Sequence, residues 1–129
     1  MKKNNPVEMK ADRDGKIANT STCTGVSLTT STANLGIHTI RMDNGGNVFN
    51  PDFVRALSAT IDTFIQKDHP KSLIITGSGK FFSNGFDLKF FERSDETERG
   101  RLIELFWRKI LARILIMDCR TVAVINGHG

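Results

Sequence analysis

Apolar residues along this chain follow two periods, and the order in which the periods alternate predicts the fold. Val26 and Leu28 alternate with small polar residues, and after an Asn34-Leu35-Gly36 turn the run Ile37-His38-Thr39-Ile40-Arg41-Met42 alternates again at period two, which predicts a hairpin. The turn formers Asp43-Asn44-Gly45-Gly46-Asn47 end it. A helix then starts at Asn50: its side chain can cap, Pro51 fits the first helical position, and Asp52 meets the positive end of the helix dipole. Phe53, Leu57, Ile61, Phe64 and Ile65 recur at helical spacing as far as Lys67.

Two further strand patterns bracket a second helix. Lys71 to Thr76 contains Leu73-Ile74-Ile75, a short β-branched run of the buried parallel kind, and Thr121 to Asn126 repeats that pattern. Between them a helix is predicted over about Asp95–Met117, with Asp95 and Glu98 as a capping box. Leu102, Phe106, Ile110, Ile114 and Met117 form its buried stripe, and Trp107 and Leu111 widen it. The order ββαβαβ argues for an α/β layer with parallel strands. Residues 1–25 read as a polar, disordered tail, although nine of the thirteen residues from Thr20 to Thr32 are Ser or Thr and suit a strand as well as a tail.

Composition narrows the partners. The 129 residues are 39% hydrophobic and 25% charged, enough for one modest core. No apolar run is long enough for a membrane span or a signal-peptide core, so an intracellular, soluble protein is expected. The net charge of +4 is scattered rather than striped, which argues against nucleic-acid binding. Cys23 and Cys119 match no disulfide framework or zinc spacing, so free thiols and no metal are expected. Asn19-Thr20-Ser21 is a chance match to a glycosylation acceptor.

In open α/β sheets ligands bind at the carboxyl ends of the parallel strands. The loop Gly77-Ser78-Gly79-Lys80-Phe81-Phe82-Ser83-Asn84-Gly85-Phe86-Asp87-Leu88 follows the first such strand. It fails as a P-loop, because Ile74 stands where the first glycine belongs and Phe81 where a hydroxyl belongs. It fails as a dinucleotide fingerprint at Phe82.

Ile74 to Leu88, with its F-S-x-G-x-D-L pattern, followed by Val122-Ala123-Val124-Ile125-Asn126-Gly127-His128, resembles the amino-terminal half of the enoyl-CoA hydratase/isomerase (crotonase, ClpP/crotonase fold) superfamily from about Val26 onward. Residues 26–129 are thus expected to form the amino-terminal part of a crotonase-like domain, with the chain stopping at Gly129 inside a glycine turn. The resemblance implies an acyl-CoA thioester substrate and an oxyanion hole of two backbone N–H donors that stabilises an enolate.

One donor falls on Phe86, with Gly85 supplying the backbone turn; a main-chain donor acts through position, so the side chain can vary. The second donor and the acid/base carboxylates would lie beyond Gly129. Ser83, Asn84, Asp87 and Leu88, with Lys80 and Lys89, would bind the substrate. Asp87 is read chiefly as fixing the loop, and Glu92 as a solvated charge. Lys80 and Lys89 could meet CoA phosphates or simply face solvent. His128 is a packing residue in this reading.

The phenylalanine-rich loop, with Phe81, Phe82, Phe86, Phe90 and Phe91, is more similar to Δ3,Δ2-enoyl-CoA isomerases than to hydratases. The resemblance therefore implies isomerisation in fatty-acid β-oxidation. Hydration of 2-enoyl-CoA, or a non-catalytic acyl-CoA-binding or subunit-interacting role, are the alternatives. It also implies no cofactor beyond the CoA of the substrate, a slight preference for the peroxisome, and a family-type homo-oligomer that is doubtful for this chain.

Overall fold

The computed structural model describes residues 8–11, 17–34, 36–68 and 72–129, with side chains from residue 24 on. Six strands form one sheet in sequence order: β1 (Glu8–Ala11), β2 (Ile17–Cys23), β3 (Val26–Thr30), β4 (Ile37–Met42), β5 (Ser72–Gly77) and β6 (Arg120–Val124). β1 to β4 pair antiparallel, while β4, β5 and β6 pair parallel. The α/β class and the predicted hairpin and parallel strands stand.

The segment expected as a tail instead carries β1 and β2, which extend the sheet by two strands. Its serines and threonines suit a pleated surface better than their polarity suggested. Residues 1–7 and 12–16 of that expectation lie outside the described residues.

α1 (Pro51–Ile65) joins β4 to β5. The Asn50 side chain accepts the Phe53 N–H at 2.9 Å, as its sequence position implied. Phe53, Val54, Leu57, Ile61 and Phe64 turn inward, each burial contributing about 1.5–3 kcal/mol. Ile65, expected on that stripe, is exposed at the helix end. The core they enter is completed by Val26, Leu28, Ile40, Met42, Leu73, Leu102 and Ile110.

The expected second helix runs from Glu96 to Ile116, but with a π turn inside it. A short α2 (Leu88–Arg93) precedes α3 (Glu96–Phe106), a π turn spans Trp107–Leu111, and α4 covers Ala112–Ile116. The Asp95–Glu98 capping box is present in both directions, at 2.8 and 3.1 Å. The π turn redirects the stripe: Leu102 and Ile110 are buried, Phe106, Ile114 and Met117 half-buried, and Trp107 is 56% exposed instead of core. Arg113 pairs with Asp62 and reaches Ser58, tying α4 to α1.

β6 also departs from its sequence pattern. Every residue from Arg120 to Val124 is exposed, because among the described residues only β5 pairs with it and one sheet face, carrying Val122 and Val124, has no layer over it.

Candidate active site

Two loops leave the carboxyl ends of β5 and β6 and are stitched together. Asn126, just past β6, accepts the Gly77 N–H at 2.9 Å and donates to the Gly79 carbonyl at 3.2 Å. One residue on, Gly127 lies so close to the Lys80 backbone that a Cβ there would collide with the Lys80 carbonyl. His128 completes the seam: its N–H donates to the Lys80 carbonyl at 3.0 Å, and its carbonyl accepts the Phe82 N–H at 2.7 Å. Its ring lies 5.8 Å from that of Phe81. His128 is thus a packing and strand-bridging residue.

A buried side chain organises the first loop from the other side. Asn47, left-handed at φ 49° and fully buried, donates to the carbonyls of Phe81 and Phe82 at 3.1 Å and Met42 at 3.3 Å. Its oxygen accepts the Asn44 N–H at 2.9 Å. Sequence reasoning treated Asn47 only as a turn former; the available signal was an asparagine, which tolerates φ > 0, ending a glycine pair. The Ser83 hydroxyl donates to the Asn47 carbonyl at 2.9 Å and accepts the Gly85 N–H at 3.1 Å. Ser83 is therefore occupied by backbone while it lines the neighbouring cavity.

Gly85, at φ 75°, turns the chain into a parallel bridge between Phe86 and Phe49. The Phe49 N–H donates to the Gly85 carbonyl at 2.7 Å, and the Asp87 N–H donates to the Phe49 carbonyl at 3.1 Å. These bonds use the groups on either side of Phe86, so the Phe86 N–H points away from Phe49, and among the described residues it has no hydrogen-bond partner. A fixed, unspent main-chain donor is what an oxyanion requires.

Asp87 caps α2, accepting the N–H groups of Lys89 at 3.0 Å and Phe90 at 3.2 Å, and approaches Asn50 at 3.4 Å. This is the loop-fixing role read from sequence. Asn84 donates its N–H to the Gly46 carbonyl at 3.0 Å and, like Leu88, Lys80, Lys89 and Glu92, is exposed.

Beside this loop lies an apolar cavity of about 490 Å³ between the sheet, at Met42, Ile75 and Ala123, and the helical layer, at Phe106, Ile110 and Ile114. Phe106 joins cavity and loop: its ring lies 4.6 Å from Phe49 and 5.3 Å from Phe86. Among the described residues no cluster of His, Cys, Asp and Glu could hold a metal, and no helix is long and apolar enough to cross a membrane.

The enoyl-CoA hydratase/isomerase family model matches residues 32–129. The chain belongs to that family. Among curated relatives, enoyl-CoA delta isomerase 3 of Arabidopsis thaliana is 31% identical over 84 residues, covering 63% of this chain and 35% of the relative. Enoyl-CoA delta isomerase 2, peroxisomal, of the same plant is 30% identical over 92 residues, covering 67% and 38%. The crystal structure of a probable enoyl-CoA hydratase from Mycobacterium tuberculosis superposes with a TM-score of 0.72 at 31% identity, covering 81% of this chain and 42% of that one. An enoyl-CoA hydratase structure from Geobacillus kaustophilus, at 22% identity, shares the fold with a TM-score of 0.77. The chain thus spans well under half the length of these relatives, and its fold is the amino-terminal portion of theirs.

Proposed function

We propose that this chain is the thioester-holding part of an enoyl-CoA isomerase. The observation that carries this reading is the Phe86 N–H, positioned by Gly85 and the Phe49 bridge and, among the described residues, left without a partner. In this reading the thioester oxygen accepts from Phe86 as the enolate forms, and the acyl chain enters the cavity. Losing one such donor typically costs about two to three orders of magnitude in rate. The exposed Lys80 and Lys89 face the CoA phosphates, and CoA enters as part of the substrate with no separate cofactor.

The second donor and the proton-transfer carboxylate are assigned to family segments beyond the 129 residues, because Asp87 is spent on capping α2 and Glu92 is exposed. The curated delta isomerases support isomerisation over hydration, and two of them carry "peroxisomal" in their names, which supports a peroxisomal setting. That same commitment of Asp87 favours, as a second reading, an acyl-CoA-binding family member without turnover.

The test follows the conversion of a 3-enoyl-CoA to the conjugated 2-enoyl-CoA by thioester absorbance, with hydration of 2-enoyl-CoA measured alongside. The expected result is binding without turnover by the 129-residue chain, and isomerisation once the family segments it does not span are joined to it. Faster hydration than isomerisation would favour a hydratase, and turnover by the 129-residue chain would overturn the assignment of the missing groups. Binding without turnover by both forms would favour the non-catalytic reading.

A further inference from the structure

Gly85 and Phe86 share the peptide group that carries the free donor, and packing does not hold it. Beyond its chain neighbours, a Cβ at Gly85 would meet no described atom within 4 Å. At φ 75° the residue stands in the left-handed region, where glycine moves freely. The orientation of this peptide group therefore depends on hydrogen bonds.

Two bonds pin Gly85, one on each side. Its carbonyl accepts the Phe49 N–H at 2.7 Å, and its N–H donates to the Ser83 hydroxyl at 3.1 Å. The first sets where the carbonyl points, and the second sets the rotation about the N–Cα bond before it. With both in place the Phe86 N–H, opposite that carbonyl across a trans peptide, has one direction.

Ser83 can act as a pin because it is itself fixed. It is 8% exposed, and its hydroxyl proton goes to the Asn47 carbonyl at 2.9 Å. Asn47 is fastened in turn to the Phe81 and Phe82 carbonyls. A serine hydroxyl has one proton to give, so none remains for a substrate.

We infer that Ser83 is a positioning residue: through Gly85 it aims the Phe86 N–H at the thioester oxygen, without touching the substrate itself. This rests on the thioester reading above and adds to it the group that keeps the donor in place before substrate arrives.

The test is difference infrared spectroscopy of the chain with decanoyl-CoA carrying ¹³C at the thioester carbonyl, whose stretch falls when it accepts a hydrogen bond. Calorimetry alongside compares decanoyl-CoA with S-decyl-CoA, a thioether that lacks this carbonyl. In the wild type the stretch is expected to lie below that of free decanoyl-CoA, and the thioester to bind about threefold or more tighter than the thioether. Ser83→Ala is expected to return the stretch toward its free value and the affinity ratio toward one, while S-decyl-CoA binds as before. Ser83→Cys, which keeps a weak donor and acceptor, is expected to fall between, and it carries the comparison if Ser83→Ala does not fold. Val54→Ala, which trims the core beneath α1, is expected to lower stability without moving either readout. A stretch and ratio unchanged by the Ser83 substitutions, or moved as far by Val54→Ala, would overturn the inference and leave the thioester reading intact. No binding, or a wild-type stretch equal to that of free decanoyl-CoA with a ratio of one, would overturn the thioester reading and the inference together.

Discussion

Gly127 lies directly against the Lys80 carbonyl, and this contact sets how closely the loops after β5 and β6 can approach. A methyl group there forces the two backbones apart at the seam that His128 closes on Lys80 and Phe82. Gly127→Ala is expected to cost about 1–3 kcal/mol in denaturant unfolding and to weaken acyl-CoA binding through the displaced loop. Wild-type stability and affinity in this variant would show the seam to be dispensable.

Asn47 has no ligand role in this account and yet holds three carbonyls beneath the loop. Asn47→Ala leaves those acceptors buried without their donor, and a loss of about 3 kcal/mol or more is expected by chemical denaturation. A change under about 0.5 kcal/mol, the usual range of a surface substitution, would contradict the role assigned to it.

Asp87 separates a capping role from a substrate-binding one. Asparagine caps about as well as aspartate, so Asp87→Asn is expected to keep both stability and acyl-CoA affinity, whereas Asp87→Ala loses about 1 kcal/mol. A large loss of affinity in Asp87→Asn at unchanged stability would return Asp87 to direct substrate binding.

How much of this was legible in the sequence differs from feature to feature, for physical reasons. The caps at Asn50 and Asp95 were readable because each acts on an N–H three residues away. The loop from Gly77 to Leu88 was readable through its motif. Asn47 was not, because its partners Phe81 and Phe82 lie more than thirty residues on, and only the folded chain brings them together. The π turn escaped because Phe106, Ile110 and Ile114 fit a regular helical stripe equally well, whereas the Trp107–Ala112 bond departs from it. Strand β1 was missed because its Glu-Met-Lys-Ala run carries two charges, and β2 because its Asn, Thr and Ser residues resemble those of a solvated tail.

His38 shares the buried face of β4 with Ile40 and Met42, bonds Thr30 at 3.0 Å through Nδ1, and packs edge-on against Phe64 at 5.3 Å. Among the described residues its Nε2 has no partner, and burial, followed by the charge of Lys67, lowers its pKa. The folded state therefore binds this proton less readily than the unfolded chain, whose histidine titrates near 6.5. Stability from the neutral ring is complete above about pH 6.5 and falls as the pH drops toward the lowered value. His38→Phe is expected to flatten that part of the stability profile, measured as urea midpoints from pH 7.5 to 5. A wild-type profile that is flat or rises on acidification through this window would contradict the assignment.

The central claim is that the Phe86 N–H is the donor to the thioester, and its amide proton reports on this directly. In ¹H–¹⁵N spectra of the protein, titration with decanoyl-CoA is expected to move the Phe86 amide proton downfield, while free CoA leaves it in place. Saturable acyl-CoA binding that leaves the Phe86 amide unmoved would contradict the account.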